Sequence, residues 1–183
     1  MAHHHHVYSA ENVSFLESGL RKLVMNPAKM LAPLVREGMT VLDVGCGPGL
    51  FTFEAARLAG REGRVIAADL QQAMLDMVQA AAKDDAMGGR ITLHKCSAHR
   101  IGVTGPVDLI LAIHVVHELP DPAGFFSEMK SILSEDGLLY LAEPAFVVSG
   151  KEFSETLNIA SRAGFQIKNR KRGLLSRIAL LAG

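Results

Sequence analysis

Val41-Leu42-Asp43-Val44-Gly45-Cys46-Gly47-Pro48-Gly49-Leu50 reads as a short apolar strand that breaks into a glycine-rich turn and feeds a helix. Gly45 and Gly47 can take backbone angles closed to residues with a Cβ, and they let a ligand approach the main chain closely. The helix that follows directs its free N–H groups into the same space. In an open α/β sheet this is where a nucleotide-like ligand binds. The spacing narrows the choice. A dinucleotide fingerprint is G-x-G-x-x-G. Here the run is Asp43-x-Gly45-x-Gly47-x-Gly49, so the third glycine arrives one residue early and Leu50 stands where a dinucleotide site has glycine. Asp43 would repel a pyrophosphate and welcome an ammonium or a sulfonium. The competing reading is a tight strand–helix turn without a ligand, because glycines are the usual residues of such turns.

Outward from this stretch, strands and helices alternate. A strand at 39–44 leads through the loop to a helix over 50–58. A second strand, Arg64–Asp69, carries Val65, Ile66, Ala67 and Ala68 and ends in an acid. A carboxylate at the tip of a second strand can accept both ribose hydroxyls of an adenosine ligand, and it repels a 2′-phosphate; it can also serve as a helix N-cap. A helix over 71–87 follows, with Met74, Leu75, Val78, Ala81 and Ala82 on one side and Gly88-Gly89 as its stop. Strands are expected at 91–96, 107–113 and 138–142, the last after an Asp136-Gly137 turn. Asp121-Pro122 starts the intervening helix, with Phe125, Phe126, Met129, Ile132 and Leu133 facing inward. Ser149 and Glu152 form a capping box for a helix carrying Phe153, Leu157 and Ala160, which Gly164 ends. Two last strands, 165–168 and 176–181, are joined by a basic turn. Upstream, Asn26-Pro27 is a helix start whose apolar face is Met30, Leu31, Leu34 and Val35, with a break expected at Pro33 and an end at Gly38. Phe15, Leu16, Leu20, Leu23 and Val24 suit an amphipathic helix or lid within residues 7–25.

This alternation specifies an α/β fold: a doubly wound, mostly parallel seven-stranded sheet with an antiparallel C-terminal strand. The Asp-x-Gly-x-Gly-x-Gly loop, the acid at Asp69 and the closing strand pair resemble the class I S-adenosylmethionine (SAM) dependent methyltransferases. The likeness runs from about Pro27 to the C-terminus. It is nearest to small stand-alone relatives of the ubiquinone and menaquinone biosynthesis methyltransferases, whose turn the segment Leu133-x-Glu135-Asp136-Gly137-x-Leu139 also resembles. The resemblance implies a Rossmann-like methyltransferase domain over 27–183, preceded by an N-terminal extension or lid over 1–26. It implies S-adenosyl-L-methionine as cofactor, with S-adenosyl-L-homocysteine as product. Asp43, Gly45, Cys46, Gly47 and Gly49 would hold the methionine end, and Asp69 the ribose. Leu70, Met74, Ser97 and Ala98 would surround the adenine, and the His114 carbonyl would face the cofactor. Position 97 is a departure: many relatives place an acid there for the adenine amino group, and Ser97 can accept that hydrogen bond only through its hydroxyl.

Composition bounds the rest. At 183 residues and 49% apolar, the chain suits one domain with a sizeable core. Nineteen basic and 19 acidic residues balance, which argues against a broad nucleic-acid surface. The basic run Lys168, Arg170, Lys171, Arg172 and Arg177 reads as a solvated hairpin. Cys46 and Cys96 form no metal or disulfide motif, which fits a reducing cytoplasm; both read as packing residues, and no metal site is expected. Neither a membrane span nor a signal peptide is expected. His3–His6 read equally as a tag remnant or a native segment and receive no role.

Methyl transfer needs alignment of a nucleophile and, where that nucleophile must lose a proton, a general base. His114 and His117 follow the fourth strand, where the resemblance puts such residues, and imidazole titrates in the right range. Glu143, after the fifth strand, would orient one of them or bind substrate. The competing reading leaves His117 and Glu118 as a cap of the turn before Asp121-Pro122. The expected partner is a small-molecule acceptor, and the expected assembly a monomer or homodimer. Two other functions are compatible with the sequence: an NAD-dependent oxidoreductase, and a non-catalytic SAM-binding protein.

Overall fold

A computed structural model describes residues 25–83, 87–173 and 175–183. The expected lid over 7–25 and the histidine tract lie outside the described residues, Met25 excepted. The fold is α/β, with seven strands in one mixed, mostly parallel sheet. The chain divides into two compact units, one ending at Cys96 and the other spanning Ser97–Gly183.

The first unit opens with helix α1 (Pro27–Leu31), capped by the Asn26 side chain, which accepts the Lys29 N–H at 3.0 Å. The helix stops at Leu31 rather than near Gly38, because Pro33 has no N–H to continue it. Strand β1 (Thr40–Val44), helix α2 (Leu50–Ala59), strand β2 (Arg64–Asp69), helix α3 (Gln72–Lys83) and strand β3 (Ile91–Lys95) follow. The strands are parallel in the order β3-β2-β1, with Asp43 beside Ala67 and Asp69 beside Lys95. β1 is buried over its last four residues, as a strand covered on both faces should be. α3 buries Met74, Leu75 and Val78 only; Ala81 is exposed, so the apolar face is narrower than the sequence pattern suggested. Gly88-Gly89 join Arg90 in a single 3₁₀ turn. The Arg90 guanidinium donates to the Ala56 and Gly60 carbonyls at 3.0 and 2.7 Å, satisfying orphan acceptors at the end of α2.

The second unit contains strand β4 (Val107–Ile113), helix α4 (Pro122–Ile132), strand β5 (Leu133–Pro144), helix α5 (Gly150–Arg162), strand β6 (Gln166–Arg172) and strand β7 (Ser176–Ala182). Their order is β4-β5-β7-β6; β4 and β5 are parallel, and β7 runs antiparallel to both its neighbours. Asp121 caps α4 by accepting the Gly124 N–H, and the Ser149–Glu152 capping box is present at α5. Phe126 is fully buried, with Phe125 and Phe165 edge-on at 5.2 and 6.0 Å.

Two expectations are corrected here. β5 begins at Leu133, not after an Asp136-Gly137 turn. Val107 pairs with Leu133 while Leu109 pairs with Leu138, so five positions of β5 run against two of β4. The turn signal is absorbed as a bulge inside the strand. Gly137 permits it, since a Cβ there would meet the Leu133 side chain at 2.7 Å. β6 also runs on past Lys168, where the sequence pattern ended it: Arg170, Lys171 and Arg172 lie in this exposed edge strand rather than in the turn after it. Charges on an edge strand blunt edge-to-edge pairing.

Candidate active site

In the first unit the site is made by backbone. Gly45, Gly47 and Gly49 all have left-handed φ, of 66°, 54° and 93°. The Gly45 and Cys46 N–H groups both donate to the Ala68 carbonyl, fastening the loop to the end of β2. The Gly47 N–H donates to Asp69 Oδ2 at 2.9 Å. The glycines differ in what surrounds them. A Cβ at Gly49 would lie 2.7 Å from the Phe53 ring, so this glycine serves packing. A Cβ at Gly47 would have nothing within 4 Å, so there the bare backbone borders open space, a cradle that a ligand can fill.

Asp43 sits at 2% exposure below this loop, and the Thr52 hydroxyl donates to its Oδ2 at 2.6 Å. Burial, with the nearby Asp69 charge adding to it against the Thr52 bond, pushes its carboxyl up to about 7. A cation would draw this acid back into its charged form. Thr52, which holds Asp43, is the site residue that the sequence reading missed; a buried threonine in the first turn of α2 carries no local signature. Asp69 uses both oxygens, accepting from Gly47 and, at Oδ1, from the Gln71 N–H at 2.8 Å. It therefore ties the loop and opens α3 at once, and each oxygen keeps a further lone pair.

The adenine candidates are scattered in character. Leu70 is exposed at 38%, unusual for a leucine beside a buried acid, and its carbonyl accepts from Lys95 Nζ. Met74 is buried in the core of the unit. Cys46 packs on Ala67, Leu75 and Val78; burial and then the Asp43 and Asp69 charges push its thiol well above the ordinary range, so it is no nucleophile. In the second unit Ser97 donates through both its N–H and its hydroxyl to the Arg100 carbonyl, at 3.0 and 3.1 Å. The hydroxyl's lone pairs stay available as acceptors. Ser97 and Ala98 line a small cleft with Arg100, Leu119, Phe125 and Glu128.

The second unit also holds a histidine–carboxylate pair. Glu143, 1% exposed at the end of β5, accepts the Val116 and His117 N–H groups at Oε1, at 3.0 and 3.3 Å. Its Oε2 meets His117 Nδ1 at 2.5 Å. With the proton placed on Nδ1, His117 Nε2 is left as the basic atom. Burial alone would lower the His117 pKa; the Glu143 hydrogen bond and charge, with Glu118 3.9 Å away, outweigh it and raise the imidazole above its ordinary 6.5. His114 is the one described non-glycine residue at positive φ, 58°. Its N–H donates to Ala142 at 2.7 Å and its Nε2 lies 3.0 Å from Ser176 Oγ. Such a conformation costs about 1–2 kcal/mol and persists where surrounding contacts impose it. His94 is half-buried on β3 and His99 is exposed.

Residues 35–171 match the family described as "Methyltransferase domain". The chain belongs to this methyltransferase family. Among curated proteins it is 30% identical to a ubiquinone biosynthesis O-methyltransferase of Cereibacter sphaeroides (strain ATCC 17029 / ATH 2.4.9) over 109 residues, 59% of this chain and 42% of that protein. It is 27% identical to the nocamycin O-methyltransferase of Saccharothrix syringae over 148 residues, 81% of this chain and 51% of that one. The chain spans about half the length of the curated relatives it matches. A solved SAM dependent methyltransferase from Aquifex aeolicus shares the fold, with a TM-score of 0.85, 23% identity and coverage of 96% of this chain and 98% of that one. Membership disfavours the NAD-dependent reading, and SAM is the cofactor of this domain. The open cradle at Gly47 and the buried, cation-seeking Asp43 fit that group. No helix among the described residues is long and apolar enough to cross a membrane.

Proposed function

We propose that the protein transfers a methyl group from SAM to a small-molecule acceptor. The observation that carries this reading is the glycine loop, whose bare backbone at Gly47 borders open space above the buried Asp43. When bound, the cofactor supplies a methyl group on a sulfonium, already activated for displacement. The Asp43 carboxylate takes the donor's ammonium, with Gly45, Cys46, Gly47 and Gly49 presenting backbone around it. Asp69 accepts from the ribose hydroxyls. Leu70, Met74, Ser97 and Ala98 bound the adenine, and Ser97 Oγ accepts from its amino group. His117 Nε2 takes the acceptor's proton as the nucleophile's bond to carbon forms, and Glu143 is the positioning residue that fixes the ring and steadies its charged form. His114 contributes its backbone carbonyl on the cofactor side rather than its ring, which Ser176 engages.

The relatives named as O-methyltransferases favour an oxygen acceptor. Two buried free cysteines favour a reducing, cytoplasmic setting. The balanced charge favours a small molecule over nucleic acid, and the chain works as a monomer or homodimer. Residues 27–183 form the methyltransferase domain and 1–26 an extension to it.

Thermal unfolding with SAM, S-adenosylhomocysteine or NAD tests the reading. Ligand at 100 times its dissociation constant adds about 2.7 kcal/mol, roughly 5–10 °C for a chain of this size. A shift with both adenosyl ligands and none with NAD is expected. A shift with NAD alone would sink the proposal. Release of S-adenosylhomocysteine in an acceptor screen then separates turnover from binding alone.

A further inference from the structure

The β6–β7 ladder sets Arg172 directly opposite Arg177. Directly opposed residues project from the same face with Cβ atoms about 5 Å apart, and like charges there repel. Neither arginine takes part in any ion pair among the described residues. Arg177 is half-buried, and its Nε donates to the Val148 carbonyl at 2.8 Å, which holds the guanidinium in place. The segments next to this contact carry three of the large apolar side chains that the second unit exposes: Phe146 at 75% and Val147 at 51%, just before Val148, and Leu175 at 40%, two residues before Arg177. The Ala145 N–H donates to the Leu175 carbonyl at 2.8 Å, so the two loops bearing them are joined. Across the next ladder Arg177 lies opposite Glu143, the residue that holds His117. Arg172, Arg177 and Glu143 thus occupy one row on one face of the sheet, two cations beside one carboxylate that His117 already engages.

We propose that Arg172 and Arg177, with Phe146, Val147 and Leu175, bind an amphiphilic organic anion, a carboxylate or phosphate on an apolar body. Resting on the reading of His117 as the base, this anion is the methyl acceptor, anchored by its charge while its nucleophile reaches His117. The two guanidiniums relieve their mutual repulsion by sharing one anionic group, and the apolar body covers exposed hydrocarbon. The other nearby cations do not widen the patch. Arg170 is occupied, donating to Ser154 Oγ at 2.9 Å and stacking over Phe153 at 5.4 Å. Lys171 pairs with Ile178 and points to the opposite face. Two cations suit a single anionic group, whereas a membrane surface or a nucleic acid is held by an array of them.

Titration of the full chain with 2-naphthoate, followed by its fluorescence and by calorimetry, tests the site, with neutral 2-naphthylmethanol as control. Naphthoate should bind in preference to the alcohol. The double variant Arg172→Gln, Arg177→Gln should lose tenfold or more in naphthoate affinity, as expected for a charge-assisted contact, with the alcohol unaffected. Phe146→Ser should weaken both probes several-fold. Should Arg177→Gln unfold through loss of the Val148 contact, Arg172→Gln alone carries the test, since that side chain is exposed. Equal naphthoate binding to wild type and variant, or none, overturns the proposal. So does arginine-dependent binding to phosphatidylglycerol–phosphatidylcholine vesicles with no binding of naphthoate. S-adenosylhomocysteine titration of the same samples keeps the two readings apart. Its failure on the wild type would sink the donor assignment and leave the naphthoate result standing by itself.

Discussion

The glycine loop of the first unit and the His117–Glu143 pair of the second are held in place by opposite means. The loop is set by backbone: three left-handed glycines within five residues, tied to the adjacent strand by main-chain hydrogen bonds. The pair is set by side chains that are far apart in sequence, His117 with Glu143 26 positions on, and His114 with Ser176 62 positions on. A site of the first kind is written in one stretch and tolerates little change in it. A site of the second kind is spread over the fold, and its members can be substituted one at a time.

Substitutions can break this contrast. The largest effect is expected from Glu143→Gln, which keeps the shape and removes the charge behind His117. Turnover should fall by about 10²-fold or more while S-adenosylhomocysteine affinity stays within twofold; an unchanged kcat would remove the pair from catalysis. Next in size is Gly49→Ala, which combines left-handed strain with a 2.7 Å clash against Phe53. It should cost about 3 kcal/mol in urea unfolding. Gly47→Ala meets no atom within 4 Å and should cost only about 1 kcal/mol, yet it should weaken S-adenosylhomocysteine binding by filling the cradle. Equal stability losses at the two glycines would contradict the division between packing and binding. Asp69→Ala should lower cofactor affinity tenfold or more, with the fold retained. Smallest is Ser176→Ala, expected to cost about 1 kcal/mol of stability by freeing the His114 ring, with little change in cofactor affinity.

The same contrast explains what the sequence could reveal. Asn26-Pro27, Asp121-Pro122 and Ser149–Glu152 announce helix starts because capping acts over three or four residues. The Asp43–Gly49 loop is legible for the same reason. Thr52 was missed because its contact with Asp43 exists only once α2 folds back on β1. The bulge at Asp136-Gly137 was misread as a turn, since the local signal is the same and only pairing with β4 distinguishes them. Arg170, Lys171 and Arg172 were assigned to a turn because an edge strand needs no apolar alternation. Which histidine meets Glu143 was open for want of any local rule, and the fold brings His117 to it.

The central claim is that Asp43 receives the cationic end of the donor, and its pH dependence tests that directly. With its pKa near 7 in the folded chain, Asp43 is mostly protonated below that pH and must release the proton to pair with an ammonium. This raised value also means that its contribution to stability, present at low pH, is lost as pH rises toward 7. S-adenosylhomocysteine calorimetry between about pH 5.5 and 8 should show affinity rising by up to tenfold per unit below pH 7 and levelling above it. Asp43→Asn should bind at least tenfold more weakly and without that slope. Equal affinity in the two proteins, with the same pH profile, would contradict the account.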